Sequence, residues 1–308
     1  MKDKIWDVAI IGSGPAGLTA GIYAVRGAAS TVILGGEIWG GQLMLTSLVD
    51  NFPGFSDGIM GPSLMENMKK QALRFGAEFI PKNVTEVDFN KTPFKLTTSD
   101  SDFFAKTVII ATGAETKWLG VPREKELIGR GISSCAPCDA PFFKEKDVLV
   151  VGGGDSAMEE ALVLTKFASK VTIIHRRSEF KASKAMQEKV FTNKKISVIW
   201  NTEILEVIGS TKFEGLKVKN ITSNEVSEIK ADGMFVAIGH TPSSEIFKGK
   251  LELDEKGYIK VHSGTKTNIP GVFVSGDVHD FTYKQAVTAA GFGCMAAMDV
   301  LNYLDGNK

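Results

Sequence analysis

Asp7-Val8-Ala9-Ile10-Ile11-Gly12-Ser13-Gly14-Pro15-Ala16-Gly17 opens the chain's first structured stretch, and its form returns at Asp147-Val148-Leu149-Val150-Val151-Gly152-Gly153-Gly154-Asp155-Ser156-Ala157. A short run of branched apolar residues suits a strand covered on both faces of a parallel sheet. Glycines follow at once in both copies. In the first, Gly12 permits a tight turn, Gly14 lets backbone approach a pyrophosphate, and Gly17 allows the next helix, expected from about Ala16 to Arg26, to pack on the strand. The helix would offer its N-terminal amides, with Pro15 at its start, to phosphate oxygens. The expected fold is α/β, with two Rossmann-like, three-layer nucleotide-binding domains.

The residues after each unit's second strand separate the two sites. Thr31-Val32-Ile33-Leu34 is followed by Glu37, about where an acid meets a ribose hydroxyl in such units, although a solvated loop acid is the other reading. Val171-Thr172-Ile173-Ile174 leads instead into His175-Arg176-Arg177, with Lys181 four residues on. A 2′-phosphate repels an acid, and an arginine fork holds it through parallel bonds. Two charge-assisted bonds of roughly 1.5–3 kcal/mol each, discounted for exposure, favour that phosphate by on the order of a hundredfold. NADPH is therefore expected over NADH. The second turn's contacts would come from Gly152, Gly154, Asp155 and Ser156, and its helix is expected to reach Phe167 or Ala168. His175 also reads as a packing residue, and Lys181 as surface charge.

Cys135-Ala136-Pro137-Cys138 lies between the two glycine turns. Two intervening residues allow a small disulfide ring, and Pro137 limits the reduced form's backbone freedom. One thiol of such a pair can serve as nucleophile near neutral pH while the other resolves the mixed disulfide. Asp139 would move a proton if burial lifts its pKa, or is an ordinary turn aspartate. The third cysteine, Cys294, sits in a small-residue helical run and reads as core.

Composition narrows the class. A chain of 308 residues with 43% hydrophobic content accommodates two cores of about 100–200 residues each. Lys plus Arg and Asp plus Glu balance at 36 each, which leaves no sequence-wide field for nucleic acid or an anionic membrane. The apolar stretch before Gly12 is too brief for a signal peptide core or a membrane span, so the cytoplasm is expected. Three cysteines make no secreted disulfide framework, and a lone C-x-x-C is poor zinc chemistry, so no metal is expected.

In these motifs, and over essentially its whole length, the chain resembles the low-molecular-weight thioredoxin reductases. Gly12–Gly17 matches the family's FAD turn, Gly40-Gly41-Gln42 its flavin loop, and Gly276-Asp277 with Tyr283-Lys284-Gln285-Ala286 its C-terminal flavin segment. The resemblance implies a split domain, with FAD bound by residues 1–117 and 244–308. An NADPH domain, 118–243, would carry the cysteines. It further implies that Asp277 meets the flavin's ribityl or phosphate region, that Gln42, Asn51 and Gln285 line the cofactor, and that His175-Arg176-Arg177 hold the 2′-phosphate. By the same resemblance Cys138 faces the flavin, Cys135 attacks the substrate disulfide and Asp139 handles the proton. The implied partner is thioredoxin or a glutaredoxin-like redox protein, and the implied assembly a homodimer.

Two departures stand out. Lys181 replaces a common arginine, keeping charge but losing the fork. Cys138-Asp139-Ala140-Pro141-Phe142-Phe143 departs from the commoner Cys-Asp-Gly-Phe-Phe and is partly similar to the peroxide-system disulfide reductases. Those carry an N-terminal redox extension, and this chain opens at the FAD strand, so a stand-alone reductase is expected. The rivals are a ferredoxin-type NADPH flavin reductase, which needs no thiol pair, and a dithiol oxidase, which needs no basic motif. A redox-sensing flavoprotein without turnover is the third.

Overall fold

A computed structural model describes residues 4–306. They form two compact units: one takes the chain up to Glu115 and resumes at Thr241, and the other is Thr116–His240. The connecting passages, Ala114–Thr116 and His240–Pro242, are short strands paired with each other.

In the first unit five parallel strands lie in the order Glu78–Ile80, Thr31–Leu34, Ile5–Ile11, Asp102–Ile110 and Val272–Val274. Val8, Ile10, Ile33, Val108 and Ile109 are fully buried, because both sheet faces are covered and polar alternation has no place there. Asp102–Ile110 has three partners. Ile5–Ile11 runs parallel to it from Phe104 to Ile110, while along its other edge Phe94–Thr97 pairs antiparallel with its first half and Val272–Val274 parallel with its second.

One face is covered by the opening helix, Pro15–Arg26, and the C-terminal helix, Ala286–Gly306. These helices touch where Gly293 meets Ala16; a β carbon on Gly293 would stand 2.2 Å from the Ala16 carbonyl oxygen. Ala286–Gly306 is long and apolar enough, by length and composition, to cross a membrane. Its Ala289, Gly293, Ala296, Ala297 and Val300 are buried in the first unit. Cys294, expected in the core, is instead half-buried, with its Sγ 3.9 Å from Met298 Sδ. Helical periodicity turns it away from the buried stripe of Gly293, Ala296 and Ala297.

The second unit repeats the plan with parallel strands Ile132–Ser133, Gly233–Val236, Asp147–Val151, Lys170–Ile174 and Ile196–Ile199. An antiparallel meander, Thr202–Ile208, Gly215–Asn220 and Val226–Lys230, completes it. Two Rossmann-like α/β layers are therefore present. The helix after the second glycine turn is Asp155–Leu164, shorter than expected. Its exit is capped from outside: Lys195 Nζ donates to the Thr165 and Ala168 carbonyls at 2.9 Å each. A cation on terminal carbonyls satisfies acceptors that further helix would otherwise have used.

Candidate active site

The first glycine turn is built as its sequence requires. Gly12 has φ +111°, and a β carbon there would lie 2.2 Å from the Ala111 carbonyl oxygen. Gly17 closes equally tightly on Gly12, whereas nothing lies within 4 Å of a β carbon on Gly14. Gly14 thus presents open backbone at the start of Pro15–Arg26, whose first turn has no side-chain cap and no acid. Uncapped amides of this kind form an anion site.

The Ser13 side chain anchors the turn to the neighbouring loop. Its hydroxyl donates to the Gly35 carbonyl at 2.5 Å and accepts the Gly40 N–H at 3.0 Å, tying the turn to the Gly35–Gly40 loop. Glu37 is exposed on that loop, and its N–H donates to Asn83 Oδ1. Gly41 and Gln42 begin a short 3-10 turn, and a β carbon on Gly41 would come 3.4 Å from Gly14 Cα. Asn51 Nδ2 donates to Gln285 Oε1 at 3.3 Å across 234 residues of sequence, next to Ala286 at the start of the C-terminal helix.

Gly276, at φ +75°, sits against Ala16, with 2.8 Å between its notional β carbon and the Ala16 methyl. The stretch that follows concentrates unsatisfied polarity. Ser275 Oγ, Asp277 Oδ1, His279 Nε2 and Asp280 Oδ2 are the buried side-chain polar atoms without a hydrogen-bond partner among the described residues. Buried polar groups ordinarily have partners, so four orphans within six residues mark a place where a polar ligand belongs. Burial first, and the Asp280 charge second, push the Asp277 carboxyl up to about 6, with Lys284 opposing. Ser275, His279 and Asp280 were not singled out from sequence. The one signal was a polar run placed directly after a buried strand.

In the second unit a β carbon on Gly152 would meet the Ala237 carbonyl oxygen at 2.4 Å, and Gly154 is open. Ser156 is exposed in the first helical turn. Asp155 Oδ1 accepts both the N–H and the hydroxyl of Ser183 at 2.8 Å. The Gly153 carbonyl accepts the N–H groups of Lys181 and Ala182. Both contacts fold the basic loop back onto the glycine turn. Arg176, Arg177 and Lys181 are exposed on it, without an ion-pair partner among the described residues. His175 does not share that exposure. Its ring covers Gly153, contacts Phe180 and Trp200, and places Nε2 3.0 Å from the Glu179 carbonyl oxygen. Burial, reinforced by the Arg177 and Arg176 charges, holds its pKa below the ordinary value. The ring packs over the glycine turn at the base of the loop.

Cys135 and Cys138 are joined in a disulfide, with Cα atoms 5.3 Å apart. The pair spans one helical turn, Ala136–Asp139, with Cys135 as the N-cap and Pro137 in the first turn. The Cys138 and Asp139 N–H groups close on the Cys135 carbonyl at 3.2 and 3.1 Å. Two residues absent from the motif secure its entry: Ser133 Oγ accepts the Cys135 N–H at 3.0 Å, and Glu160 accepts the Ala136 N–H. Asp139 is half-buried; burial raises its pKa and a hydrogen bond with Ser133 partly opposes this. After it Phe142 is exposed, while Phe143 packs edge-on against Phe235.

The family model described as pyridine nucleotide-disulphide oxidoreductase matches residues 6–293. The chain is 52% identical over 301 residues to a thioredoxin reductase of Streptomyces coelicolor, covering 97% of this chain and 94% of that one. Identity to a thioredoxin reductase of Rickettsia prowazekii is 50% over 303 residues, covering 97% and 98%. Among solved structures, thioredoxin reductase from Giardia duodenalis superposes with a TM-score of 0.94 at 41% identity, covering 98% and 100%. That from Streptococcus pyogenes gives 0.94 at 39%, covering 98% and 99%.

Proposed function

Because the chain belongs to the pyridine nucleotide-disulphide oxidoreductase family, and within it to the thioredoxin reductases, we propose that it passes two electrons from NADPH, through FAD, to a thioredoxin disulfide. The observation that carries this reading is the Cys135–Cys138 disulfide on a single helical turn, with half-buried Asp139 directly beside it. The net reaction consumes NADPH, one proton and a protein disulfide, and yields NADP⁺ and a protein dithiol.

The residues present fit FAD in the first unit. Open backbone at Gly14 and uncapped amides after it suit a pyrophosphate, and the orphaned, buried Asp277 Oδ1 suits a ligand hydroxyl donor. In this proposal Glu37 would meet a ribose hydroxyl, and the Asn51–Gln285 pair, Gly41 and Gln42 would line the remainder of the cofactor. Bound FAD supplies the chemistry that couples a hydride donor to a disulfide. In the second unit Gly152, Gly154 and the helix start would hold the NADPH pyrophosphate. Arg176, Arg177 and Lys181 would hold the 2′-phosphate. The FAD-binding segments are thus proposed as 1–117 and 244–308, and the NADPH-binding domain as 118–243.

Once reduced, Cys135 attacks one sulfur of the substrate disulfide, forming a mixed disulfide and expelling the other sulfur as thiolate. Cys138 then attacks Cys135, re-forms the intramolecular disulfide and releases the second substrate thiol. Asp139 delivers the proton taken by the leaving thiolate, for which a raised pKa suits it. Thioredoxin is the proposed acceptor, with a glutaredoxin-like protein as the alternative. The proposed assembly is a homodimer and the compartment the cytoplasm.

Anaerobic stopped-flow reduction by NADPH and by NADH, with Cys138→Ser beside the wild type, tests the path. Wild type should take up two more electrons than the variant and reduce thioredoxin steadily. Reduction by neither nucleotide would remove the hydride-entry step. Reduction without thioredoxin turnover would leave a flavin reductase or a sensor.

A further inference from the structure

Lys69 lies on helix Gly61–Arg74, between two aromatic rings. Its Nζ is 4.0 Å from the Trp39 ring centroid and 4.2 Å from that of Phe79, and the two rings meet edge to face at 6.0 Å. Neighbouring Lys70 pairs with Glu66, whereas Lys69 meets no carboxylate among the described residues. Its charge is therefore balanced by ring faces, which attract a cation through their quadrupole.

The rings belong to the loop bearing Glu37 and to the strand beneath it. Phe79 lies in Glu78–Ile80, opposite Ile33 of Thr31–Leu34, and fills the space over Gly35, where a β carbon would come 2.2 Å from Phe79 Cζ. Ser13 fixes the loop's two ends at Gly35 and Gly40. Its middle has fewer anchors. Gly36 N–H reaches the Lys82 carbonyl, Glu37 N–H reaches Asn83 Oδ1, and Ile38 is 94% exposed. Trp39 anchors this middle: it packs against the buried core cluster, and Lys69 and Phe79 flank its ring.

We propose that Lys69 is a positioning residue for FAD: seated between Trp39 and Phe79, it fixes the Gly35–Gly41 loop so that Glu37 and Gly41 are pre-set for the cofactor's nucleotide half. This rests on assigning FAD to the first unit. Pre-setting the loop removes an ordering cost from binding, so losing the clamp weakens affinity without touching a contact atom. Arginine retains a cation over both rings, while methionine keeps length and apolar contact without charge.

The test compares Lys69→Met and Lys69→Arg with wild type in the full-length flavoprotein. Flavin release on dilution is followed by free-flavin fluorescence, alongside NADPH affinity and the melting temperature of the FAD-free protein. Lys69→Met should weaken FAD binding by about threefold to thirtyfold, the range expected for a cation–ring contact. Lys69→Arg should restore it to within about threefold, with NADPH affinity unchanged in both. Equal retention by Lys69→Met and wild type would overturn the proposal while leaving the FAD assignment intact. So would equal losses in both variants that follow a fall in FAD-free melting temperature, since that is a structural role. A wild-type chain that binds NADPH but no FAD would remove the assignment itself and the proposal with it.

Discussion

Asp155 grips Ser183 twice, its Oδ1 accepting both the backbone N–H and the side-chain hydroxyl at 2.8 Å. The acid at the start of the second nucleotide helix thus tethers the loop bearing Arg176, Arg177 and Lys181. Asp155→Ala should loosen that loop and raise the NADPH dissociation constant by about tenfold, two exposed charge-assisted bonds being worth that much after screening. Asp155→Asn keeps an Oδ1 acceptor and should lose less. Isothermal titration with NADP⁺ reads both.

Selectivity should reside in the loop's cations. Arg177→Ala is expected to raise KM for NADPH by about ten- to a hundredfold and to leave KM for NADH within about threefold, since only the former carries the 2′-phosphate. Lys181→Arg should sharpen the preference by adding a planar fork. Steady-state kinetics with both nucleotides decides; equal losses for the two would place these residues elsewhere in the mechanism.

Asp139→Asn keeps the turn's size and removes its proton. Thioredoxin reduction should fall by about 10²- to 10⁴-fold, the range for a lost general acid, while NADPH reduces the flavin at the wild-type rate. Burial raises the Asp139 pKa, so its acid form persists to higher pH than an ordinary aspartate. A step that needs this acid slows as pH rises through the raised pKa. That limb should be missing from the pH profile of Asp139→Asn.

Asp277 links FAD-free stability to pH. Its carboxyl is raised from 3.8 to about 6, so between those values the folded state holds the proton more tightly than the unfolded chain. Stability from this group is therefore fully present below pH ~4 and is lost as pH rises to ~6, by about 3 kcal/mol in all. Denaturant titration of the FAD-free protein should show that decline in wild type and not in Asp277→Asn. The same variant should bind FAD more weakly, because an amide offers a single uncharged acceptor oxygen where the carboxyl offered two oxygens and could carry charge. A variant that is less stable at every pH and binds FAD normally would contradict both halves.

Much of this architecture was legible in local chemistry. Val8-Ala9-Ile10-Ile11 and Val148-Leu149-Val150-Val151 read as buried parallel strands because no polar residue interrupts them. Gly12 and Gly17 are needed where a β carbon would strike backbone, and such a demand leaves its mark in one residue. The same holds for Cys135 and Cys138, whose spacing alone permits the ring. Cys294 misled because a run of small residues marks a packed helix without saying which side of it packs.

Strand, turn, thiol pair and the basic end of the second nucleotide unit follow from neighbours within a few residues, so the chain's order alone determines them, and with them the fold and the class of reaction. The tasks of individual side chains depend on partners far along the chain. Ser13 ties two loops, His175 covers Gly153, Glu160 secures the entry to the cysteine turn, and Lys69 sits between Trp39 and Phe79. Burial likewise sets the charge of Asp139 and Asp277. Hydrogen bonding, ring contact and desolvation act through distances in space, and only the packed tertiary structure supplies those distances.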